Sequence, residues 1–133
     1  MPSPEHTYKK PFEKIDHYQE STWLGNDTPI FENENTAVFN DKYPCVKGHR
    51  LFIPKQDTPD AVGESLKLAY YCGQEWIKEG KMEGFNVGMN IGRPAGQTIM
   101  WPHIHFIPRH EGDSKPIGGM RYAHPAADHK EHY

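Results

Sequence analysis

The sequence predicts an α+β domain, an antiparallel meander sheet crossed by one long helix. Three observations carry that reading. Short β-type runs recur along the chain with turn residues between them. One stretch, 58–79, repeats apolar residues at three- and four-residue steps. And 133 residues without an internal repeat or a second apolar region allow one domain with a modest core.

Residues 1–27 are polar and interrupted by Pro2, Pro4 and Pro11. Phe12, Ile15, Tyr18 and Trp23 keep a loose helical spacing there, so a short helix is expected within an otherwise frayed extension. The domain core is assigned to 28–110. Within it, Ile30-Phe31, the turn-rich 32–35 and the β-type run 36–39 read as strand, turn and strand. Residues 40–44 form a loop, and Gly48 relaxes the backbone just before His49. The apolar run 50–54 suits a central strand buried on both faces, with Pro54 tolerated at its end.

Thr58-Pro59 starts the helix: a hydroxyl cap, then proline where no N–H is needed. Val62, Leu66, Ala69, Gly73 and Trp76 form its apolar stripe, and Lys78-Glu79-Gly80 stops it. Phe85, Val87, Met89 and Ile91 alternate with Asn86, Gly88 and Asn90 as a half-buried strand. A turn at 92–96 leads to a last strand over 97–108. Residues 111–133 are a polar, loop-rich tail.

Fifteen Lys+Arg against eighteen Asp+Glu give a net charge of −3. That balance argues against a protein that grips long nucleic acid by counterion release, yet a single nucleotide needs only a few donors. No apolar run approaches the roughly 20 residues of a membrane span, and no signal-peptide core is visible. Cys45 and Cys72 are too few for a disulfide framework and lack metal-ligand spacing. The expectation is a cytoplasmic protein with no membrane contact. The outlier is histidine, with nine copies.

On the last strand, alternation puts Trp101, His103 and His105 on one face and Pro102, Ile104 and Phe106 on the other, the core side. Two imidazoles two residues apart admit three readings. They are satisfied structural histidines, two ligands of a zinc, or a nucleophilic imidazole with a neighbour that orients it.

The surroundings weigh on that choice. Asn90 and Gly96-Gln97-Thr98 lie upstream, with Asn40-Asp41, Gly48-His49 and Ile53-Pro54-Lys55 earlier and Pro108-Arg109 downstream. From about Ile30 to Arg109 this order and spacing resembles the histidine-triad (HIT) superfamily of nucleotide hydrolases and transferases. That family's signature alternates three histidines with apolar residues after Gly-Gln-Ser/Thr. Gly112-Asp113 and Gly118-Gly119-Met120-Arg121 resemble its bacterial dinucleoside-polyphosphate hydrolase branch. One position departs: Trp101 stands where the first triad histidine would be.

The resemblance implies a HIT-like meander sheet with the helix packed across it, and a nucleotide hydrolase cleaving at the α-phosphorus. His103 would attack as a neutral imidazole and form a nucleotidyl-histidine that water then resolves, with His105 and His49 completing the catalytic cluster. Gln97, Thr98 and Asn90 would contact the phosphates, Asp41 the ribose hydroxyls, and Phe39, with Ile30 as a weaker candidate, the base. Trp101 would border the nucleotide and stack on a second base. The missing imidazole implies a slower enzyme, or one whose leaving group departs easily, unless His110, Arg109 or Arg121 substitutes for it.

Substrates would be dinucleoside polyphosphates or nucleoside phosphoramidates. Alternatives are a nucleotidyl transferase to an acceptor other than water and a non-catalytic nucleotide-binding module. No cofactor or metal site is required, although Mg²⁺ could accompany a polyphosphate substrate. His124, His129 and His132 read as a solvated tail. A homodimer through the helix is expected, with Tyr70, Tyr71 and Trp76 as the surface to bury.

Overall fold

The computed structural model describes residues 10–24, 27–113 and 119–127. Strands β1 (Phe31–Glu32), β2 (Thr36–Asn40) and β3 (Arg50–Pro54) come first, then the helix α1 (Pro59–Lys78), then β4 (Gly84–Gly88) and β5 (Ile104–Arg109). They form one antiparallel sheet in the order β1-β2-β3-β5-β4. β3 is the central strand, as its apolar run predicts. No described helix is long and apolar enough to cross a membrane.

The cap of α1 forms as read: Thr58 Oγ1 accepts from the Ala61 N–H at 3.2 Å, and Pro59 occupies the first turn. Its buried ridge matches the predicted stripe at Ala69 and Gly73, but its first half runs one residue earlier, at Ala61 and Ser65 in place of Val62 and Leu66. Ala61, Ser65, Ala69 and Gly73 face the sheet, whereas Leu66 is 43% exposed. The reason is steric, because an i, i+4 ridge of small residues lets the helix axis lie close to the strands. A Cβ on Gly73 would stand 2.2 Å from the Phe85 ring. Ser65 also bonds the Thr36 hydroxyl at 2.6 Å, tying α1 to β2. Between helix and sheet, the Phe106 ring lies 5.3–5.7 Å from those of Phe52, Trp76 and Phe85.

The opposite face of the sheet has its own apolar cluster. Ala37, Phe39, Leu51 and Ile53 are covered there by Ile15, Tyr18 and Trp23, with Trp101 at the margin. The stretch 10–24 is therefore structural, though not by the predicted helix: it holds one 3-10 turn, Tyr18–Glu20. Its anchors are local contacts along the last loop. The Phe12 N–H donates to the Thr98 carbonyl at 2.7 Å, Lys14 bridges Met100 in parallel, and the Arg93 guanidinium sits 3.9 Å over the Phe12 ring.

Two strand boundaries differ from expectation. β4 ends at Gly88, leaving Ile91 exposed. β5 begins only at Ile104, so 97–103 is a connection, buried at Gln97 and over 101–103 and pinned by the N-terminal stretch, rather than a ladder strand.

Candidate active site

Pairing of β2, β3 and β5 gathers the polar residues. Asp41 follows β2 and His49 precedes β3, joined where the Asp41 N–H donates to the His49 carbonyl at 3.0 Å. Gly48, at φ +91°, makes that approach possible; a Cβ there would sit 3.1 Å from the Trp76 ring. His105 lies opposite Leu51 on the neighbouring strand, two residues along from His49 on the same face.

These positions yield short contacts. His49 Nε2 lies 3.0 Å from His105 Nδ1 and 3.2 Å from Asp41 Oδ2, and the other Asp41 oxygen accepts the Tyr43 N–H at 2.8 Å. Hydrogen-bond partners fix the ring tautomers. The Cys45 N–H points at His49 Nδ1 from 3.2 Å, so His49 carries its proton on Nε2 and donates it to Asp41 and His105. His105 then accepts at Nδ1 and holds its own proton on Nε2. His103 differs: its Nδ1 is 2.7 Å from the Trp101 carbonyl, an acceptor, so Nδ1 carries the proton and Nε2 the lone pair.

Both strand histidines are neutral at physiological pH. Burial lowers His103 below the ordinary imidazole range, against the smaller opposing effects of the Trp101 carbonyl and Asp41. His105 is pushed down to about 4, first by burial and then by His103 and His49, with Asp41 partly offsetting them.

Asp41, His49 and His105 also have the spacing of metal ligands, their donor atoms all within 4.8 Å of one another. The donor chemistry does not fit. A ligand at His49 Nε2 would have to carry its proton on Nδ1, where the Cys45 N–H already directs a hydrogen. The trio is a hydrogen-bonded cluster centred on His49 Nε2.

The remaining predicted residues divide. Thr98 and Asn90 are exposed, and Asn90 lines an open pocket of about 810 Å³ with His49, His105, Arg109, Met120 and Tyr122. Gln97 braces its own loop: its side-chain oxygen accepts from Gly92 N–H at 2.8 Å and its amide donates to the Ile99 carbonyl at 3.0 Å.

Phe39 and Trp101 require correction. Phe39 is 0% exposed beneath Ile15, Tyr18 and Trp23 and presents no wall to a base. Trp101 is 3% exposed, and its indole N–H donates to the Pro54 carbonyl at 2.8 Å, so it does not stack on a second base. Ile30 is 44% exposed and lies outside both cores.

Of the suggested substitutes for the missing imidazole, Arg109 is held by Asp113 at 3.0 Å and Asn86 at 2.6 Å, and His110 lies 3.8 Å from Glu83 at the sheet edge. Arg121 sits in an exposed 3-10 turn, Met120–Ala123. His129 and His132 lie outside the described residues. Sequence reasoning missed Met120 and Tyr122 as pocket walls and Trp23 as a neighbour of His103, 5.1 Å between ring centroids. For Trp23 a signal existed in the large apolar residues of an otherwise polar stretch.

Known proteins are similar to this chain. An uncharacterized HIT-like protein of Methanocaldococcus jannaschii is 33% identical over 94 residues, 66% of this chain and 73% of its own. The adenosine 5'-monophosphoramidase of Saccharomyces cerevisiae is 32% identical over 96 residues, 68% of this chain and 59% of its own. A zinc-bound histidine triad family protein from Mycobacterium smegmatis superimposes with a TM-score of 0.60 at 31% identity, over 65% of this chain and 68% of that one. The HIT domain profile matches residues 25–112, which span the sheet, α1 and the cluster of Asp41, His49, His103 and His105. This chain belongs to the HIT domain family.

Proposed function

We propose that the chain is a nucleotide hydrolase that cleaves at the α-phosphorus through a nucleotidyl intermediate on His103. The observation that carries the reading is the His103 tautomer: Nδ1–H donates to the Trp101 carbonyl at 2.7 Å, which leaves the Nε2 lone pair for attack. As Nε2 bonds to phosphorus, the ring gains positive charge, and that same carbonyl stabilises the cation. The bond to the leaving group breaks, and the leaving group takes away its electron pair. His105, held by His49 and Asp41, directs its Nε2–H at a phosphoryl oxygen. Water then attacks phosphorus, cleaves the P–N bond to His103 and releases the nucleoside monophosphate.

With the Trp101 indole committed to Pro54, the leaving group departs without a side-chain acid at that position. Suitable substrates are those whose leaving group is stable as an anion or protonated by water: dinucleoside polyphosphates, with Mg²⁺ on the polyphosphate, or nucleoside phosphoramidates. The similarity to the yeast adenosine 5'-monophosphoramidase supports the second class. Asp41 keeps a lone pair on each oxygen for the ribose hydroxyls, and Thr98 and Asn90 are open to the phosphates. Dimerisation through the edge strand β4 and the exposed Tyr70 and Tyr71 of α1 belongs to the same proposal.

Brief incubation with adenosine 5'-phosphoramidate followed by intact-mass spectrometry tests the reading. The expected result is an adenylyl adduct on the unaltered chain and none on His103→Ala. Tight AMP binding with neither adduct nor turnover would overturn it in favour of a binding module.

A further inference from the structure

We propose that Trp23 is a positioning residue for the nucleophile: the N-terminal stretch carries its indole onto His103 and fixes the direction of the Nε2 lone pair. The inference rests on the reading of His103 as nucleophile.

Hydrogen bonding alone leaves the ring one degree of freedom. The bond from Nδ1–H to the Trp101 carbonyl anchors one corner, and the imidazole can still rock about that axis. Trp23 closes off this motion, its ring 5.1 Å from that of His103 and inclined at 54°. His105 borders His103 at 5.3 Å, edge-on. Both His103 and Trp23 are buried, at 8% and 7% exposure. A ring this close, packed beside a buried imidazole, restrains its orientation.

Trp23 itself is held from both directions. Its carbonyl accepts the Asp27 N–H at 3.0 Å, and Ile15 and Tyr18 beside it are buried against Phe39 and Leu51. Upstream, Phe12 is pinned to Thr98 and Arg93 and adopts φ +66°, a left-handed conformation uncommon for a phenylalanine. The stretch thus spans the loop that bears Thr98 and ends on the nucleophile. It lies outside residues 25–112, where the HIT domain profile matches, so this chain adds a support from beyond that region.

The test compares Trp23→Leu and Trp23→Phe with the unaltered chain by steady-state kinetics on adenosine 5'-phosphoramidate, each checked for a cooperative melt. A misdirected nucleophile loses about 10- to 100-fold in kcat. Trp23→Leu should show that loss with KM changed less than about threefold, and Trp23→Phe should recover kcat to within about threefold. A loss confined to KM, an unchanged kcat, or a rise in kcat/KM (the mark of an indole that merely obstructs the site) overturns the proposal. Nitrogen-15 NMR of the imidazoles separates this from failure of the parent reading. If the unaltered chain neither turns over nor labels, that reading fails. The NMR then decides Trp23: faster motion of the His103 ring in Trp23→Leu, read from its nitrogen-15 relaxation, upholds the positioning role, and unchanged relaxation overturns it.

Discussion

Replacing His105 with glutamine should flatten the dependence of stability on pH between 7 and 5. In the folded chain His105 titrates at about 4, against an ordinary value of 6.5, because burial and its histidine neighbours disfavour the cation. As pH falls below 6.5 the unfolded chain takes up a proton that the folded chain refuses until about 4. Stability is therefore full above 6.5, falls through this window and levels off beneath it. Integrated from pH 7 to 5, the loss is about 2 kcal/mol, a ceiling because the side chain is 27% exposed and solvent trims it. Carboxylates with ordinary values near 4 contribute little in this interval.

Urea unfolding at half-unit steps of pH measures it, since about 2 kcal/mol corresponds to roughly 1 M in midpoint for a domain of this size. Glutamine keeps an amide oxygen that can accept the His49 bond and carries no titrating group, so the slope is the readout. His103 shifts in the same direction and keeps some slope in the variant. Parallel pH curves for the unaltered chain and His105→Gln would refute the argument that His105 is held neutral by its surroundings.

Other perturbations test the packing that positions the cluster. Gly73→Ala should destabilise by about 3 kcal/mol, because the new methyl overlaps the Phe85 ring and outweighs alanine's helix propensity of about 1 kcal/mol; urea unfolding of Gly73→Ala alone and with Phe85→Leu should show partial recovery in the double variant. Thr58→Ala should cost about 1 kcal/mol by removing the cap, with Thr58→Ser close to unaltered in the same assay. Trp101→Phe leaves the buried Pro54 carbonyl without its donor and should lower stability by about 1–3 kcal/mol, read from the thermal midpoint.

Where local chemistry determines structure, the sequence was legible. Thr58-Pro59 caps α1 by a mechanism that depends on neighbouring residues alone, and β2 and β3 follow from runs bounded by turn residues. The cluster was legible for a related reason. Alternation on β5 and the glycine before His49 are local, and antiparallel pairing then brings Asp41, His49 and His105 together. What failed depended on distant partners. The first half of the α1 ridge follows Ala61 and Ser65 because Ser65 bonds Thr36 on another element, and hydrophobicity ranks Val62 and Leu66 above both. The stretch 10–24 owes its burial to the face of Phe39 and Leu51; its large apolar residues signal that it packs, and nothing within it says against what. Phe39 was assigned to a base pocket on the same omission.

The tryptophan at 101 takes a different meaning once side chain and backbone are separated. Its indole belongs to the core, buried among Ile53, Phe39 and Trp23 and tied to Pro54. Its carbonyl faces the other way in function: that oxygen accepts from His103 Nδ1 and sets the tautomer of the ring proposed as nucleophile. A backbone acceptor is indifferent to which side chain its residue carries, provided the local path of the chain is held. Under the proposed mechanism, tryptophan rather than histidine at 101 leaves no acid on the leaving-group side while His103 keeps the contact that sets its tautomer. The large, rigid indole, buried and hydrogen-bonded, holds that path firmly. Catalysis through His103 should accordingly depend less on the chemical nature of residue 101 than on how well that residue fills its place in the core.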